Sequence, residues 1–233
     1  MPIYNSSGHP VNTANNNFAA LNIGAIGDSI TEGARVSAPE KNYVELLAND
    51  FAHAYNYGVS ATTLAGTGSS AMCNRYSSMR NDLNIVIVFG GTNDWYTSVE
   101  LGTSADATNE TFYGALNVMI PGLIAKYPHS EIVFLTPMNS TYSGKNTDNA
   151  NSAGYTMKQY VDAIKERCAY HAIPVLDLFA MCGMDIAHGG SNSDHFAYWT
   201  ADGVHPNAQG HKRIYDRIIG FLHSIEGHGA ALG

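Results

Sequence analysis

Ser29 and the pair Asp202 and His205 are the residues of this sequence best suited to covalent chemistry. Ser29 follows Gly-Asp directly after the apolar run 21–27, where a strand would turn into a helix. A serine at such a turn points its hydroxyl into the crevice at the strand end, beside backbone N–H groups that the first helical turn leaves unpaired. Taken alone, Ser29 is equally well explained as a helix cap, so its role depends on partners elsewhere in the chain.

Asp202 and His205 offer such partners near the end of the chain. They lie three residues apart around Gly203, and Pro206 favours an extended conformation for His205, outside the helix that follows. At this spacing the carboxylate reaches one imidazole nitrogen, fixes the tautomer and stabilises the imidazolium. The other nitrogen is then free to take a proton from a serine hydroxyl. A surface turn is the alternative interpretation of this segment taken by itself.

Two neutral hydrogen-bond donors follow other candidate strands. Asn93, in Gly-Thr-Asn-Asp after the apolar run 84–89, offers a side-chain amide that suits a developing oxyanion. Gly58, in Asn-Tyr-Gly-Val-Ser after the run 54–57, offers an unobstructed backbone N–H. Each segment alone also fits ordinary turn chemistry. Together with the serine and the histidine, however, they complete a set of nucleophile, base and two oxyanion donors.

The four segments together resemble those of the SGNH hydrolases, also called GDSL esterases. The likeness extends from about residue 21 to residue 222 and rests on four blocks: Gly-Asp-Ser-Ile-Thr-Glu-Gly (27–33), Asn-Tyr-Gly-Val-Ser-Ala-Thr-Thr (56–63), Gly-Gly-Thr-Asn-Asp (90–94) and Asp-Gly-Val-His-Pro-Asn (202–207). Ala61 departs from the pattern, because many members of the family carry glycine after the serine of the second block. We expect this difference to reshape the turn while every catalytic position stays occupied.

The resemblance implies a role for each of these residues. Ser29 would be the nucleophile, and Asp202 and His205 would complete its triad. The oxyanion hole would consist of the Ser29 N–H, the Gly58 N–H and the Asn93 side chain. The resemblance also implies a flavodoxin-like fold of three α/β/α layers, and it implies no cofactor.

The alternation of short apolar runs with longer helical patterns predicts a parallel sheet covered on both faces. The run 84–89 is mostly β-branched, as expected for a strand that helices cover on both sides. Apolar residues at helical spacing predict helices around 112–123, 157–168 and 214–225, the first of them kinked at Pro121. The expected fold is therefore α/β, with a five-stranded parallel sheet whose strands are 21–27, 54–57, 84–89, 131–136 and 174–178.

Length and charge narrow the possible functions. A chain of 233 residues suits one α/β domain, which we place at 21–226, between a polar lead-in at 1–20 and a linker-like tail at 227–233. With 20 acidic and 12 basic residues the net charge is −8 and the basic residues form no cluster, which argues against nucleic acid or an anionic membrane as partner. No apolar run approaches the ~18 residues of a membrane span, and the polar start does not resemble a signal peptide. Composition leaves the compartment and the oligomeric state open.

The cysteines and histidines show no diagnostic metal-binding spacing. The chain has three cysteines, Cys73, Cys168 and Cys182. None forms a Cys-x-x-Cys pair, so we expect buried thiols, with a single bridge in an exported form as the alternative. His188, Asp194 and His195 are candidate metal ligands, but a polar loop near the site is the preferred interpretation.

Two long polar segments, 139–154 and 183–199, follow candidate strands and should emerge at the carboxyl edge of the sheet, where open α/β folds bind ligands. Polar residues mixed with single aromatic rings suit a sugar face. We therefore predict a hydrolase that forms an acyl-enzyme and removes a small acyl group, such as acetyl, from a glycan or small-molecule ester. The alternatives are a lipase or thioesterase, and a carbohydrate-recognition domain of a larger surface or tail assembly. The predicted substrate contacts are Asp28, Trp95, Tyr96, Tyr142 and Trp199.

Overall fold

A central parallel sheet organises the computed structural model, which describes residues 3–4, 10–11, 18–188 and 194–225. The strands of the sheet are β1 (Asn22–Gly27), β2 (His53–Gly58), β3 (Ile85–Phe89), β4 (Glu131–Leu135) and β5 (Val175–Leu176). Their order is β2-β1-β3-β4-β5, and all neighbours are parallel. This is the flavodoxin-like order. The predicted strands and the predicted α/β class are confirmed, whereas the predicted tail at 227–233 lies outside the described residues.

Helices cover both faces of the sheet. They are α1 (Ser29–Glu32), α2 (Tyr43–Leu47), α3 (Met72–Arg75), α4 (Thr92–Tyr96), α5 (Phe112–Lys126), α6 (Met157–Tyr170), α7 (Leu178–Met181), α8 (Asp194–Trp199) and α9 (Ala208–Ile225). One core lies between the sheet and α3, α5 and α6, and the other lies between the sheet and α2, α7 and α9. Three layers result because each apolar face of the sheet must be covered. None of these described helices is both long and apolar enough to cross a lipid bilayer.

Three smaller elements lie outside the sheet and the α-helices. They are a 3-10 turn at Tyr76–Ser78 and two antiparallel pairs, Ile3–Tyr4 with Pro10–Val11 and Thr141–Tyr142 with Lys145–Asn146. The second pair forms a hairpin within the long polar segment after β4. The two-residue strands of this hairpin are too short to show a period in the sequence, so the sequence predicts only a polar segment here.

Strand β3 is buried along its whole length because it contributes to both cores. Val86 and Val88 point to the core with α5 and α6, while Ile85, Ile87 and Phe89 point to the core with α2 and α9. Successive side chains of a strand face opposite sides of the sheet, so a continuous apolar run is what two covered faces require. This strand therefore anchors the middle of the sheet.

The long helices begin and end at positions that local chemistry explains. Thr111 caps α5, with its hydroxyl oxygen accepting the Gly114 N–H at 3.1 Å. Pro121 lies inside α5, which continues to Lys126, so the proline does not end the helix. Helix α9 buries one apolar stripe against the sheet, and its buried apolar residues are Ile214, Ile218 and Leu222. A stripe at this spacing is the amphipathic pattern that the sequence predicts.

Two buried groups bear on the sequence predictions. Phe18, placed in the polar lead-in by the sequence, is buried and stacks on Phe51 with ring centroids 4.9 Å apart. The apolar packing thus begins earlier than the predicted start of the domain at residue 21. All three cysteines are buried and unbridged, as the preferred interpretation predicted.

The carboxyl ends of the three central strands meet at one edge of the sheet. Gly27, the last residue of β1, lies opposite Gly58 at the end of β2 and opposite Phe89 at the end of β3. The segments that follow these strands therefore begin side by side. Three of the four sequence blocks that carry candidate chemistry start here.

Candidate active site

The turn between β1 and α1 presents Ser29 as the first residue of the helix. Asp28 caps the helix, with its Oδ1 accepting the Ile30 N–H at 2.9 Å. The close turn requires Gly27, because a Cβ at that position would lie 1.9 Å from Thr31 Oγ1. The Ser29 N–H stands at the helix start, where no carbonyl of the helix can accept it. The nucleophile candidate thus carries a hydroxyl and an available N–H at the same point.

The side chains of Ser29, His205 and Asp202 form one chain of hydrogen bonds. His205 Nε2 lies 2.9 Å from Ser29 Oγ. His205 Nδ1 lies 2.9 Å from Asp202 Oδ2 and 3.1 Å from Asp202 Oδ1. When the Nδ1–H is donated to the carboxylate, the lone pair of Nε2 faces the serine hydroxyl. The fold brings together a serine and a histidine that lie 176 residues apart in the sequence.

Asp202 is surrounded by N–H donors that favour its ionised form. Its Oδ1 accepts the backbone N–H of His205 at 2.9 Å and that of Val204 at 3.2 Å. Burial raises the pKa of this carboxyl, but the backbone and side-chain donors outweigh burial and hold the pKa below its ordinary value. A carboxylate that stays ionised at neutral pH can stabilise an imidazolium beside it.

The loop that carries this acid and base is fixed by close backbone packing. Gly203 has a φ of 95°, and a Cβ on it would lie 1.9 Å from the carbonyl oxygen of Thr141. The Thr141 N–H donates to Gly203 O at 3.0 Å. The buried hydroxyl of Thr200 accepts the Gly203 N–H at 2.7 Å and donates to His205 O at 3.0 Å. The hairpin after β4 and the end of α8 therefore support the loop from two sides.

Asn93 lies in the first turn of α4 and directs its amide to the loop after β2. Its Nδ2 donates to Thr62 O at 2.9 Å, which leaves the second amide N–H without a partner among the described residues. The helix starts after Gly91, whose φ of 108° belongs to the left-handed region that glycine adopts readily. Asn93 therefore presents one free, neutral donor at the edge where β1, β2 and β3 end.

Gly58 does not offer a free N–H, which corrects its assignment as an oxyanion donor. Its N–H donates to Asn56 Oδ1 at 2.8 Å. The orientation of this amide is set, because Asn56 Nδ2 donates to Thr31 O at 2.7 Å on its other side. Glycine is needed here for space, since a Cβ would lie 2.1 Å from the backbone nitrogen of Glu32. Gly58 thus allows β2 to approach α1 closely.

Ala61 offers a free backbone N–H in this loop. Ala61 is exposed, its N–H has no acceptor among the described residues, and it precedes Thr62, whose carbonyl holds Asn93. Its φ of 60° lies in the left-handed region, where glycine is favoured and alanine is strained. The neighbouring Ser60 is held by Glu32 Oε2, which accepts the Ser60 N–H at 3.0 Å. Sequence reasoning missed this donor, and its signal was the alanine at a position where many family members carry glycine.

Arg75 ties together the segments that surround Ser29. Its guanidinium donates to Gly27 O and to Tyr57 O, both at 2.5 Å, and to Thr62 Oγ1 at 3.3 Å. These acceptors lie at the ends of β1 and β2 and in the loop that carries the free N–H. No spacing rule in the sequence indicates these contacts, because Arg75 lies in α3 and reaches acceptors in three other segments.

Two buried carboxylates, Asp28 and Asp94, lie within electrostatic reach of each other. Asp94 is fully buried and accepts the N–H groups of Leu64 at 2.8 Å and Ala65 at 2.9 Å. Burial raises the pKa of Asp94 to about 6 and the pKa of Asp28 to about 7. Because Asp28 is only 2% exposed and caps α1, its side chain cannot reach a substrate, which corrects its predicted role as a substrate contact.

The chain matches a family of known proteins over most of its length. Residues 25–213 match the family model of the GDSL-like Lipase/Acylhydrolase family. The chain belongs to this family. Among curated proteins, no sequence gives a significant match.

Solved structures resemble the chain over nearly its whole length. A protein from Lactobacillus plantarum is 29% identical with a TM-score of 0.81, covering 90% of this chain and 99% of that one. A protein from Chitinophaga pinensis DSM 2588, described as a possible lipase, is 22% identical with a TM-score of 0.67, covering 88% and 98%. LAE5, an alpha/beta hydrolase enzyme from the metagenome of Lake Arreo, Spain, is 18% identical with a TM-score of 0.62, covering 91% and 99%. These likenesses show the fold.

In this member of the GDSL-like family, some of the aromatic residues predicted to contact the substrate are exposed and others are buried. Tyr142 exposes its side chain, and its ring centroid lies 6.3 Å from that of His205. Tyr96 packs edge-on against Tyr142 at 6.2 Å and is partly buried behind it. Trp95 is 1% exposed and donates Nε1–H to Tyr155 O at 2.9 Å, so its burial in the core removes it from the candidate substrate contacts.

Trp199 lies in α8 and packs with residues other than the acid and base. Its ring lies under the guanidinium of Arg213 at 4.8 Å and contacts the ring of Tyr198 at 4.6 Å. Trp199 is half-buried in this position. Its role as a substrate contact stays a prediction.

The polar segment around His188 is held by contacts of its imidazole with one carboxylate of the same segment and one of the segment after β4. His188 Nδ1 lies 2.5 Å from Asp185 Oδ1, and Nε2 lies 2.7 Å from Asp148 Oδ2, so both ring nitrogens are engaged. His195 Nε2 accepts the Asp185 N–H at 3.1 Å. Across the described ranges, with the gap at 189–193 left aside, no three histidine, cysteine or carboxylate side chains are arranged to hold a metal ion. The contacts favour the polar-loop interpretation of this segment.

Proposed function

We propose that this chain is a serine esterase that works through an acyl-enzyme, with Ser29 as the nucleophile. The observation that carries the proposal is the hydrogen-bonded path from Ser29 Oγ to His205 Nε2 at 2.9 Å and from His205 Nδ1 to Asp202 Oδ2 at 2.9 Å. Membership of an acylhydrolase family supports ester chemistry at this path.

Acylation begins when Ser29 Oγ attacks the ester carbonyl carbon while its proton passes to His205 Nε2. The carbonyl oxygen becomes an oxyanion, and the donors available to it are the N–H groups of Ser29 and Ala61 and the free amide N–H of Asn93. Asp202 stabilises the imidazolium that has formed. The bond from the carbonyl carbon to the alcohol oxygen then breaks, His205 gives its proton to that oxygen, and the acyl group remains on the serine.

Deacylation repeats the same steps with water as the nucleophile. Water gives one proton to His205 Nε2 while its oxygen attacks the acyl-enzyme carbonyl. The bond to Ser29 Oγ breaks, the serine oxygen recovers the proton from His205, and the carboxylic acid is released. In this proposal only the triad moves protons, so the reaction needs no cofactor.

A small acyl group, such as acetyl, is the proposed acyl part of the substrate. The large apolar side chains exposed on the described surface are Val59, Ile124, Tyr142, Tyr170, Met181 and Tyr198. Of these, only Val59 and Tyr142 lie in segments that border the path from Ser29 to His205. A long acyl chain needs an apolar groove, in which each buried methylene is worth ~0.8 kcal/mol. The lack of an aliphatic cluster on the described part of the rim therefore supports a short acyl chain.

A carbohydrate is the proposed alcohol part of the substrate. Tyr142 is 38% exposed beside His205, the group that would protonate the leaving alcohol. An exposed ring at this point can stack on the C–H face of a sugar, while amides such as that of Asn93 can meet its hydroxyls. Tyr96, packed edge-on behind Tyr142, would keep the ring in place.

The test is a series of aryl esters with acyl chains from two to about twelve carbons, followed by acetylated glycans assayed for released acetate. We expect acetyl and propionyl esters to react fastest and Ser29→Ala to lose ~10⁴–10⁶ in turnover while keeping its fold. Ser37→Ala, which changes an exposed serine outside the path, is the matched control. A maximum at eight carbons or more would favour a lipase or thioesterase, and activity retained in Ser29→Ala would overturn the esterase assignment.

A further inference from the structure

Arg35 occupies a backbone position that disfavours arginine. It lies in the turn after α1, two residues beyond Gly33, and has a φ of 72°. This left-handed conformation strains any residue with a Cβ, whereas glycine adopts it freely. The local conformation therefore does not favour an arginine here, so the contact made by its side chain is of interest.

The side chain of Arg35 reaches the acid–base pair, Asp202 and His205. Arg35 Nε donates to Asp202 Oδ2 at 3.3 Å, and the same oxygen lies 2.9 Å from His205 Nδ1. The Arg35 side chain is 59% exposed, and exposed ion pairs of this kind add little to stability. What the contact can affect instead is the orientation of the carboxylate and the charge around the base.

The titratable side chains that face the acid–base pair come from four parts of the fold. Tyr96 of α4 lies within electrostatic reach of the acid, and Tyr142 of the hairpin packs on the imidazole at 6.3 Å. Tyrosine phenols are uncharged at neutral pH. His211 of α9 is buried near the imidazole, and burial lowers its pKa to about 4, so it is also neutral. Of this set, Arg35 alone carries a full charge.

We propose that Arg35 is a positioning residue for the acid–base pair, a role that rests on the proposed esterase function. It holds the Asp202 carboxylate with Oδ2 toward His205 and places a fixed positive charge beside it. This charge opposes a second positive charge on the imidazole and so favours the neutral ring that accepts the Ser29 proton. A unit charge several ångströms from a titrating group in a solvent-exposed setting shifts the pH midpoint of that group's protonation by about half a pH unit.

The test compares Arg35→Gln with Arg80→Gln as a matched control. Arg80 also pairs with an aspartate, Asp82, but it precedes β3 at the amino edge of the sheet, opposite the site. The ring signals of His205 are followed by NMR from about pH 4 to about pH 9, and aryl acetate hydrolysis is measured over the same range. We expect Arg35→Gln to raise the midpoint of both curves by about 0.3–0.8 pH unit, and Arg80→Gln to leave both unchanged. Arg35→Lys should restore most of the shift.

A midpoint that moves by less than about 0.1 pH unit in Arg35→Gln would overturn the proposal, as would an equal shift in Arg80→Gln. A rate that falls at every pH while the NMR midpoint stays in place would also overturn it, since that result describes a structural role only. Arg35→Gly should show the same shift without loss of thermal stability, because glycine relieves the left-handed strain. If the wild type hydrolyses no ester, the proposed function fails, and the NMR midpoint still decides the charge effect.

Discussion

Asn93 donates one amide N–H to Thr62 O and keeps the other free, which suits an oxyanion that exists only during the reaction. Asn93→Ala is therefore expected to lower kcat by ~10²–10³ while KM changes little. Steady-state kinetics with an aryl acetate measures both constants. Asn149→Ala, in an exposed position of the segment after β4, is the control and should match the wild type. A rise in KM alone would make Asn93 a substrate-binding residue instead.

Residue types identify the side-chain groups of the site but not its backbone donors. Ser29, Asp202 and His205 act through side chains, so their identity and spacing are visible in the sequence. A backbone N–H belongs to every residue except proline, and its availability depends on whether another group accepts it. Gly58 and Ala61 both carry a backbone N–H, but Asn56 accepts that of Gly58 and no described residue accepts that of Ala61. That difference requires the fold.

At the scale of elements, substitutions of Gly58 at the end of β2 and of Ala61 in the loop that follows should change stability in opposite directions. Gly58→Ala should destabilise the fold by ~1–3 kcal/mol or more, because the new Cβ would lie 2.1 Å from backbone atoms of Glu32 that cannot move aside. Ala61→Gly should raise the free energy of unfolding by up to ~1 kcal/mol and keep activity, since it relieves strain and retains the N–H. Urea denaturation measures the stability of both variants, and kcat measures their activity. Lost activity in a well-folded Ala61→Gly variant would argue against a role for this N–H.

The cap of α1 makes a prediction about pH. Burial raises the pKa of Asp28 from 3.8 to about 7, so the folded state holds the proton more tightly than the unfolded state. The free energy of unfolding therefore falls as the pH rises from about 4 to about 7. Asp28→Asn keeps an oxygen for the Ile30 N–H and has no charge to bury. We expect its stability relative to the wild type to increase by about 2–3 kcal/mol between pH 5 and pH 8.

The control for the cap is Asp162→Asn, which removes an exposed carboxylate that pairs with Lys158 on α6. Its stability difference from the wild type should stay nearly constant over the same pH range, because an exposed carboxylate is not desolvated by folding. Denaturation curves of the three proteins at each pH provide the measurement. Parallel pH dependence of Asp28→Asn and the wild type would show that Asp28 carries no burial penalty.

At the scale of the whole molecule, periodic patterns predict the layers but not the contacts between distant segments. The alternation of apolar runs and helical stretches indicates the parallel sheet, and a buried run such as β3 indicates helices on both faces. The contact of Thr141 with Gly203 joins segments some sixty residues apart, and no pattern within either segment predicts it. The position of Trp95 is also not predictable from its own segment. Its polar neighbours indicate the rim of the active site, whereas α4 directs its ring into the core beside α6.

The net charge of the whole chain predicts how substrate charge affects the rate. With 20 acidic and 12 basic residues the chain carries −8, a field that repels anions. The Debye length is ~30 Å at 0.01 M salt and ~8 Å at 0.15 M, so the repulsion acts on approaching substrates mainly at low salt. We expect kcat/KM for an aryl acetate that bears a carboxylate to rise about two- to fivefold between these two salt concentrations. A neutral aryl acetate has the same acyl group and serves as the control, with little change expected. If the anionic ester instead reacts faster at low salt, the local cation Arg35 outweighs the net field at the site, and anionic glycans become the better candidates for the substrate.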